Sequence, residues 1–223
     1  MPRKTTTRER LIGTAAELFW KQGYAQTGVN EIIQQAQATS GSFYHFFPTK
    51  EDLLLAVVDH VAEIFETEVF GPASEAAGNA VERLFAVLEH YRQRLLDSGF
   101  IFGSPMGSLA AEVSENHPLV HARLVEIQTT WTERVEELLT DARDQLPHDL
   151  DRGSLARFVV STMEGAALQA RVTHSLALFD ASVAQLRDYF SLLESPERHV
   201  EPIPVQVRPR PRMQPQAADW RSW

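Results

Sequence analysis

The 223-residue chain contains no cysteine. This absence excludes disulfide bonds, thiol catalysis, thiol-based redox sensing and cysteine-ligated zinc sites. No apolar run approaches the roughly 20 residues that a membrane span needs. The basic, polar N-terminus also lacks the apolar stretch of a signal peptide. We therefore expect a cytoplasmic globular protein without membrane contact.

Catalytic motifs and strand-like alternation are missing as well. The chain has no Gly-rich phosphate loop, no nucleophile elbow and no His-Glu-x-x-His sequence. His117 and His121 have the i, i+4 spacing of metal ligands, but no third ligand is evident, so helix capping and solvation explain them better. We predict neither an enzyme nor a bound cofactor or metal.

Positive charge is scarce overall and unevenly distributed. The net charge is −9, yet the first 50 residues carry six Lys and Arg against three acidic residues, and the rest of the chain carries 15 against 27. A local basic surface is sufficient for attraction to phosphates, while acidity elsewhere limits non-specific binding. Chance variation in a short segment would explain the asymmetry equally well.

Apolar residues recur at helical spacing through nearly the whole chain, which predicts an all-α protein. Thr27 has the residue type of an N-cap for the helix that follows it, and Thr49 to Asp52 reads as the start of another helix. Gly71-Pro72 is expected to end the helix that begins at Thr49. His117-Pro118 is expected to open a long helix.

Residues 27–50 have the outline of a helix-turn-helix. A helix over about 28–36 is followed by a break at 37–39 and by a short helix over 40–46, which Pro48 prevents from continuing. Phe43 and Phe47, one turn apart, can anchor the short helix on its neighbours. Its other residues are then expected to face outward and to suit an approach to the major groove. These residues are Ser40, Gly41, Ser42, Tyr44 and His45.

The stretch ATSGSFYHFFPTKEDL, residues 38–53, resembles the signature of the TetR family of bacterial regulators. The family pattern runs small, Ser/Thr, x, Gly, Ser/Thr, aromatic, Tyr, His, aromatic, Phe, x, Ser/Thr, Lys, Glu, x, Leu. Residues 103–112 are similar to a subgroup with a Gly-Cys-x-x-Gly-x-Leu segment, in which Ser104 replaces the cysteine. Cysteine-based sensing of electrophiles is therefore ruled out here.

The resemblance implies about nine helices and a homodimer that binds double-stranded operator DNA, usually as a repressor. It implies phosphate contacts from Thr27, Tyr44, His45 and Lys50, and base contacts near Ser40 to Ser42. Many relatives carry Lys at position 40, so Ser40 weakens or removes one contact. The predicted DNA-binding residues are Thr27, Thr39, Ser40, Gly41, Ser42, Tyr44, His45 and Lys50. A purely structural role of Tyr44 and His45 in the short helix is the alternative.

Two late helices carry more apolar surface than a single packing face requires. This surplus predicts a dimer interface, although both faces could also be buried within one chain. The predicted interface residues are Phe158, Val159, Thr162, Ala166, Val183, Leu186 and Phe190.

The C-terminal region is expected to hold a small hydrophobic or aromatic effector that releases the protein from its operator. The predicted wall residues are Leu88, Tyr91, Phe102, Met106, Leu109, Val113, Gln128, Trp131, Met163 and Glu164. Packing in an ordinary core is the alternative for each of them. Glu112, Glu115 and Glu164 would attract a cation if they faced inward.

Three regions follow from these patterns. Residues 1–50 form the helix-turn-helix domain, residues 51–195 the effector-binding and dimerisation domain, and residues 196–223 a tail that we expect to be disordered. Six of the twelve prolines lie in that tail. The alternative function is a helical ligand-binding or interaction module without DNA binding.

Overall fold

A computed structural model describes residues 6–113 and 117–194 of the chain. Within these ranges the protein is helical and has no strands, as the sequence predicts. Three consecutive stretches, Lys50–Phe65, Glu66–Phe70 and Gly71–Glu75, together form α4. Counting α4 as one helix, the described residues form nine helices. The other eight are α1 (Thr7–Gln22), α2 (Val29–Gln35), α3 (Ser40–Phe46), α5 (Ala80–Asp97), α6 (Pro105–Val113), α7 (Pro118–Asp141), α8 (Arg152–Thr173) and α9 (Ala177–Glu194).

The N-terminal helices pack around α1, which contacts α2, α3 and α4. Further along the chain, α4 packs on α7, and α8 packs between α7 and α9. The rings of Phe65 and Trp131 stack at 4.1 Å between α4 and α7. None of the described helices is both long enough and apolar enough to span a membrane.

Reciprocal capping boxes fix the start of three helices. Thr49 accepts a hydrogen bond from the backbone of Asp52, whose carboxylate accepts one in return from the backbone of Thr49. The same pair of bonds starts α1 at Thr6 and α5 at Asn79. Each box satisfies backbone N–H groups that the first turn leaves without helical partners. The predicted helix start at Thr49 is thus confirmed.

The Gly71-Pro72 pair does not end α4, contrary to the sequence-based expectation. The helix widens instead into a π-helical stretch, in which the N–H of Gly71 donates to the carbonyl of Glu66. Pro72 then occupies the first turn of the next α-helical stretch, where its missing N–H costs little. Periodicity alone does not distinguish this arrangement from a helix end.

Gly71→Ala is expected to destabilise the protein by about 1–3 kcal/mol. A β-carbon at this position would lie 2.9 Å from the carbonyl oxygen of Glu66. Gly13→Ala in α1 is the control, because a β-carbon there meets no atom within 4 Å. This control should be stabilised by up to about 1 kcal/mol, since alanine is the better helix former. Chemical denaturation of both variants checks the prediction, and equal stabilities would contradict it.

Candidate nucleic-acid interface and effector cavity

The short helix α3 exposes small residues at its start and aromatic rings toward its end. Phe43 and Phe47 are buried, with ring centroids 6.1 Å apart, and they anchor the helix on its neighbours. The opposite face is accessible: Ser40, Gly41 and His45 are exposed, Ser42 is half-buried, and Tyr44 is 57% exposed. No acidic side chain lies on α3. The predicted division between anchoring and outward residues is therefore present in the structure.

Arg10 fixes the turn between α2 and α3. Its Nε donates to the carbonyl of Ala36 at 3.1 Å, at the end of α2. Gln37 follows in the left-handed region at φ 49°, and the N–H of Ala38 donates to Ile33. The sequence-based prediction included Arg10 only in the charge count. The role of Arg10 depends on a contact between residues 26 positions apart, which no local pattern reveals.

Four of the predicted DNA-binding residues have internal partners, including Thr39 and Ser42, whose hydroxyl oxygens lie 3.0 Å apart. The hydroxyl of Thr39 caps α3 by accepting from the N–H of Ser42 at 3.1 Å. Thr27 is buried and donates to the carbonyl of Gly23 at 2.7 Å, so it does not cap α2 as predicted, and Gly28 holds that position without a side-chain bond. DNA contacts from these side chains stay predictions.

Lys50 also has an internal partner. Its ammonium group donates to the carbonyl of Tyr24 and lies 4.1 Å from the centre of the Tyr24 ring. Burial lowers the pKa of Lys50, while the carboxylate of Glu112 opposes this shift. Lys50 therefore holds the turn after α1 against the start of α4, and its phosphate contact also stays a prediction.

The N-terminal helices are tied to the C-terminal ones by bonds to main-chain atoms. The guanidinium of Arg171 on α8 donates to the carbonyl of Trp20 and, at 2.9 Å, to the hydroxyl of Ser108 on α6. The carboxylate of Glu112 accepts from the N–H of Ala25 at 3.2 Å. Glu112 thus lies at this junction, where a cavity of about 740 Å³ opens. Glu115 lies outside the described residues.

A smaller cavity of about 440 Å³ opens between α6, α7 and α8. Three of the predicted wall residues line it, namely Met106, Gln128 and Glu164. Phe102 packs instead against the ring of Trp20, with centroids 5.4 Å apart. The remaining predicted wall residues are buried core side chains that do not line this cavity. They are Leu88, Tyr91, Leu109, Val113, Trp131 and Met163.

Ser104 connects this cavity to the start of α6. Its hydroxyl oxygen accepts from the N–H of Gly107 at 3.1 Å, and its O–H donates to Glu164 at 2.6 Å. The two flanking glycines leave the space for this arrangement. A β-carbon on Gly107 would lie 2.6 Å from the Ser104 hydroxyl, and one on Gly103 would lie 2.5 Å from the β-carbon of Arg171. Close packing thus accounts for glycine at positions 103 and 107.

The two candidate metal-binding histidines, His117 and His121, have different surroundings. The Nδ1 atom of His117 lies 3.3 Å from the carboxylate of Glu51, and its ring packs on Tyr24. His121 lines the smaller cavity. The described part of the chain contains no group of three metal-ligating side chains.

An apolar surface covers the outer face of α8 and α9. Four of the predicted dimer residues, Val159, Ala166, Leu186 and Phe190, are buried within one chain. Thr162 and Val183 are half-buried, and Phe158 is exposed. The apolar side chains available to a second copy therefore differ from the predicted set. They are Phe158, Leu168, Val172, Leu178, Tyr189 and Leu192.

Two family models match the chain. Residues 11–57 match the model of bacterial regulatory proteins of the tetR family, and residues 80–186 match the tetracyclin repressor-like C-terminal domain. An uncharacterised HTH-type transcriptional regulator of Mycobacterium tuberculosis is 33% identical over 198 residues, which are 86% of this chain and 97% of the relative. The transcriptional regulator AcuR of Cereibacter sphaeroides is 27% identical, over 77% of this chain and 79% of its own.

Solved structures share the fold. The regulatory protein TetR from Rhodobacter sphaeroides superposes with a TM-score of 0.74 at 25% identity, covering 83% of this chain and 97% of its own. The reduced form of NemR from Escherichia coli superposes with a TM-score of 0.72, also at 25% identity. It covers 82% of this chain and 97% of its own.

Proposed function

Because the chain belongs to the TetR family of DNA-binding transcriptional regulators, we propose that it acts in the cytoplasm as a homodimeric repressor that a small effector releases from its operator. No catalytic step is part of this proposal. We assign DNA binding to residues 1–50, and effector binding and dimerisation to residues 51–195.

The outward face of α3 is the observation that carries the proposal. A helix about 10–12 Å across fits the major groove, and small side chains at its N-terminal end permit close approach to the base edges. Ser40, Gly41 and Ser42 supply that end. Tyr44 and His45 follow on the exposed side, where a hydroxyl and an imidazole can donate to phosphate oxygens.

The exposed apolar face of α8 and α9 supports pairing with a second copy. Its six large apolar side chains are 41% to 74% exposed in one chain. Gly165 lies among them, and a β-carbon there meets no atom within 4 Å, so another helix can approach closely. A dimer would place two copies of α3 on successive turns of the major groove, which requires a half-site spacing of about 34 Å.

Helix α6 supports communication between the effector cavity and the DNA-binding region. Ser104 directly precedes the helix, and Ser108 and Glu112 follow at intervals of four residues, so all three lie along one side of α6. Ser104 bonds to Glu164 beside the cavity, Ser108 bonds to Arg171, and Glu112 bonds to Ala25. An effector that displaces α6 would therefore change the bonds that hold the N-terminal helices, and it would shift the population away from the operator-binding spacing.

Footprinting on the DNA upstream of the gene tests the proposal. The protein is expected to protect a pseudo-palindrome, and the double variant Tyr44→Phe, His45→Ala should bind it at least about tenfold more weakly, because each copy loses two hydrogen bonds to phosphates. Circular dichroism of the variant controls for folding. Affinity should also fall steeply as salt is raised from about 50 to 200 mM. Tight effector binding without any change in operator affinity would contradict the release mechanism.

A further inference from the structure

Glu164 is a carboxylate without a cation. It lies on α8 in the wall of the cavity of about 440 Å³. One of its oxygens accepts from the hydroxyl of Tyr91 at 3.1 Å, and the other accepts from the hydroxyl of Ser104 at 2.6 Å. No Lys, Arg or His nitrogen of residues 6–113 and 117–194 forms an ion pair with it.

Other carboxylates of this chain show how unusual that environment is. Asp180, Asp59 and Glu66 lie on accessible surface, and each forms an ion pair with an arginine from a different helix. Water already stabilises those surface charges, so their ion pairs add little to the stability of the fold. Glu164 is more shielded from water and has only neutral partners. The fold thus leaves this shielded carboxylate without a counter-ion among the described residues.

The two hydroxyl groups compensate for this burial only in part. Burial raises the pKa of Glu164, and the hydrogen bonds from Ser104 and Tyr91 oppose that shift. An ionised carboxylate has about four lone-pair positions, and these two donors occupy two of them. Neither donor carries a charge, so the cavity keeps a net negative charge and free acceptor positions when Glu164 is ionised.

The rest of the cavity wall defines the shape of a complementary ligand. Met106, Leu124 and Val125 supply an apolar surface, and Gln128 and His121 add polar groups. A volume of about 440 Å³ is in the range of pockets for small organic molecules. We propose that this cavity binds an organic cation whose aromatic body packs on the apolar wall and whose ammonium group donates to Glu164. This inference depends on the proposed function only in naming the cavity as the effector site.

Calorimetry on the full chain without DNA tests the inference with two probes of similar shape. The probes are 1-naphthylmethylammonium and neutral 1-ethylnaphthalene. The cation is expected to bind at least about tenfold more tightly, because it adds a charge-assisted hydrogen bond in a shielded site. In Glu164→Gln this preference should disappear, with binding of the neutral probe retained. Equal affinities in the unchanged protein, or a preference that survives in Glu164→Gln, would overturn the proposal.

Two further variants separate the local effect of Glu164 from general charge attraction and from misfolding. Glu75→Gln removes the same charge from an exposed position at the end of α4, and it should retain the preference. Loss of the preference in Glu75→Gln would indicate general attraction of cations to the acidic protein and would overturn the proposed site. Glu164→Asp keeps the charge and should keep part of the preference even if Glu164→Gln does not fold. Binding of the cation without release from operator DNA would contradict the proposed function while leaving this inference intact.

Discussion

Replacing Gly41 by leucine is expected to abolish operator binding while leaving the fold intact. Gly41 is exposed on α3, and a β-carbon there meets only the Thr39 hydroxyl, at 3.9 Å. The larger side chain therefore has room in the free protein. In the complex it would stand between α3 and the floor of a groove only about 12 Å wide. We expect the affinity to fall by more than about a hundredfold, since several base and phosphate contacts are lost together.

Gly41→Ala is the matched control for this experiment. Alanine should stabilise α3 by up to about 1 kcal/mol relative to glycine and should cost far less affinity than leucine. Fluorescence anisotropy with labelled operator DNA gives the affinities, and thermal unfolding gives the stabilities. Operator binding by the leucine variant within a few-fold of the unchanged protein would show that α3 does not enter the groove.

Trp131→Ala should lower the free energy of unfolding by about 3–5 kcal/mol. Trp131 is 3% exposed, stacks on Phe65 at 4.1 Å and lies 6.4 Å from the ring of Phe70. Its removal leaves a cavity and breaks the main aromatic contact between α4 and α7. For a chain of this length, we expect the unfolding midpoint to fall by about 10 °C.

Gln128→Ala provides the comparison, because Gln128 lies on the same helix, is exposed and lines the cavity of about 440 Å³. Its stability should change by less than about 0.5 kcal/mol. Differential scanning calorimetry of both variants distinguishes a core residue from a ligand-contacting one. A small effect of Trp131→Ala on stability, combined with loss of effector binding, would show that Trp131 contacts the ligand and is not a core residue.

The sequence predicts best where local spacing is decisive. The pattern over residues 37–50 predicts the turn, the bounds of α3 and its anchoring by Phe43 and Phe47, and the structure confirms all three. Sequence spacing does not show which of several apolar faces of a helix is buried. Val159 and Phe158 are neighbours on α8, yet one is 1% and the other 50% exposed. Only packing against α7 and α9 decides between them.

Predictions also fail where a main-chain atom is the partner. Arg10 and Arg171 each bind a carbonyl oxygen on another helix, and no residue type marks such an acceptor in the sequence. The π-helical stretch of α4 depends in the same way on the carbonyl of Glu66. The predicted helix end at Gly71-Pro72 was wrong because its residue types also fit the interior of a widened helix.

The junction between the two regions has a consequence for how such a protein can evolve. Arg171 and Glu112 of the C-terminal region bind main-chain atoms of Trp20 and Ala25 in the N-terminal region. Main-chain atoms are present whatever the side chains are. The N-terminal helices can therefore accumulate side-chain substitutions and come to recognise a different operator sequence while these bonds persist. Operator specificity and ligand specificity can therefore evolve independently of each other within the same fold.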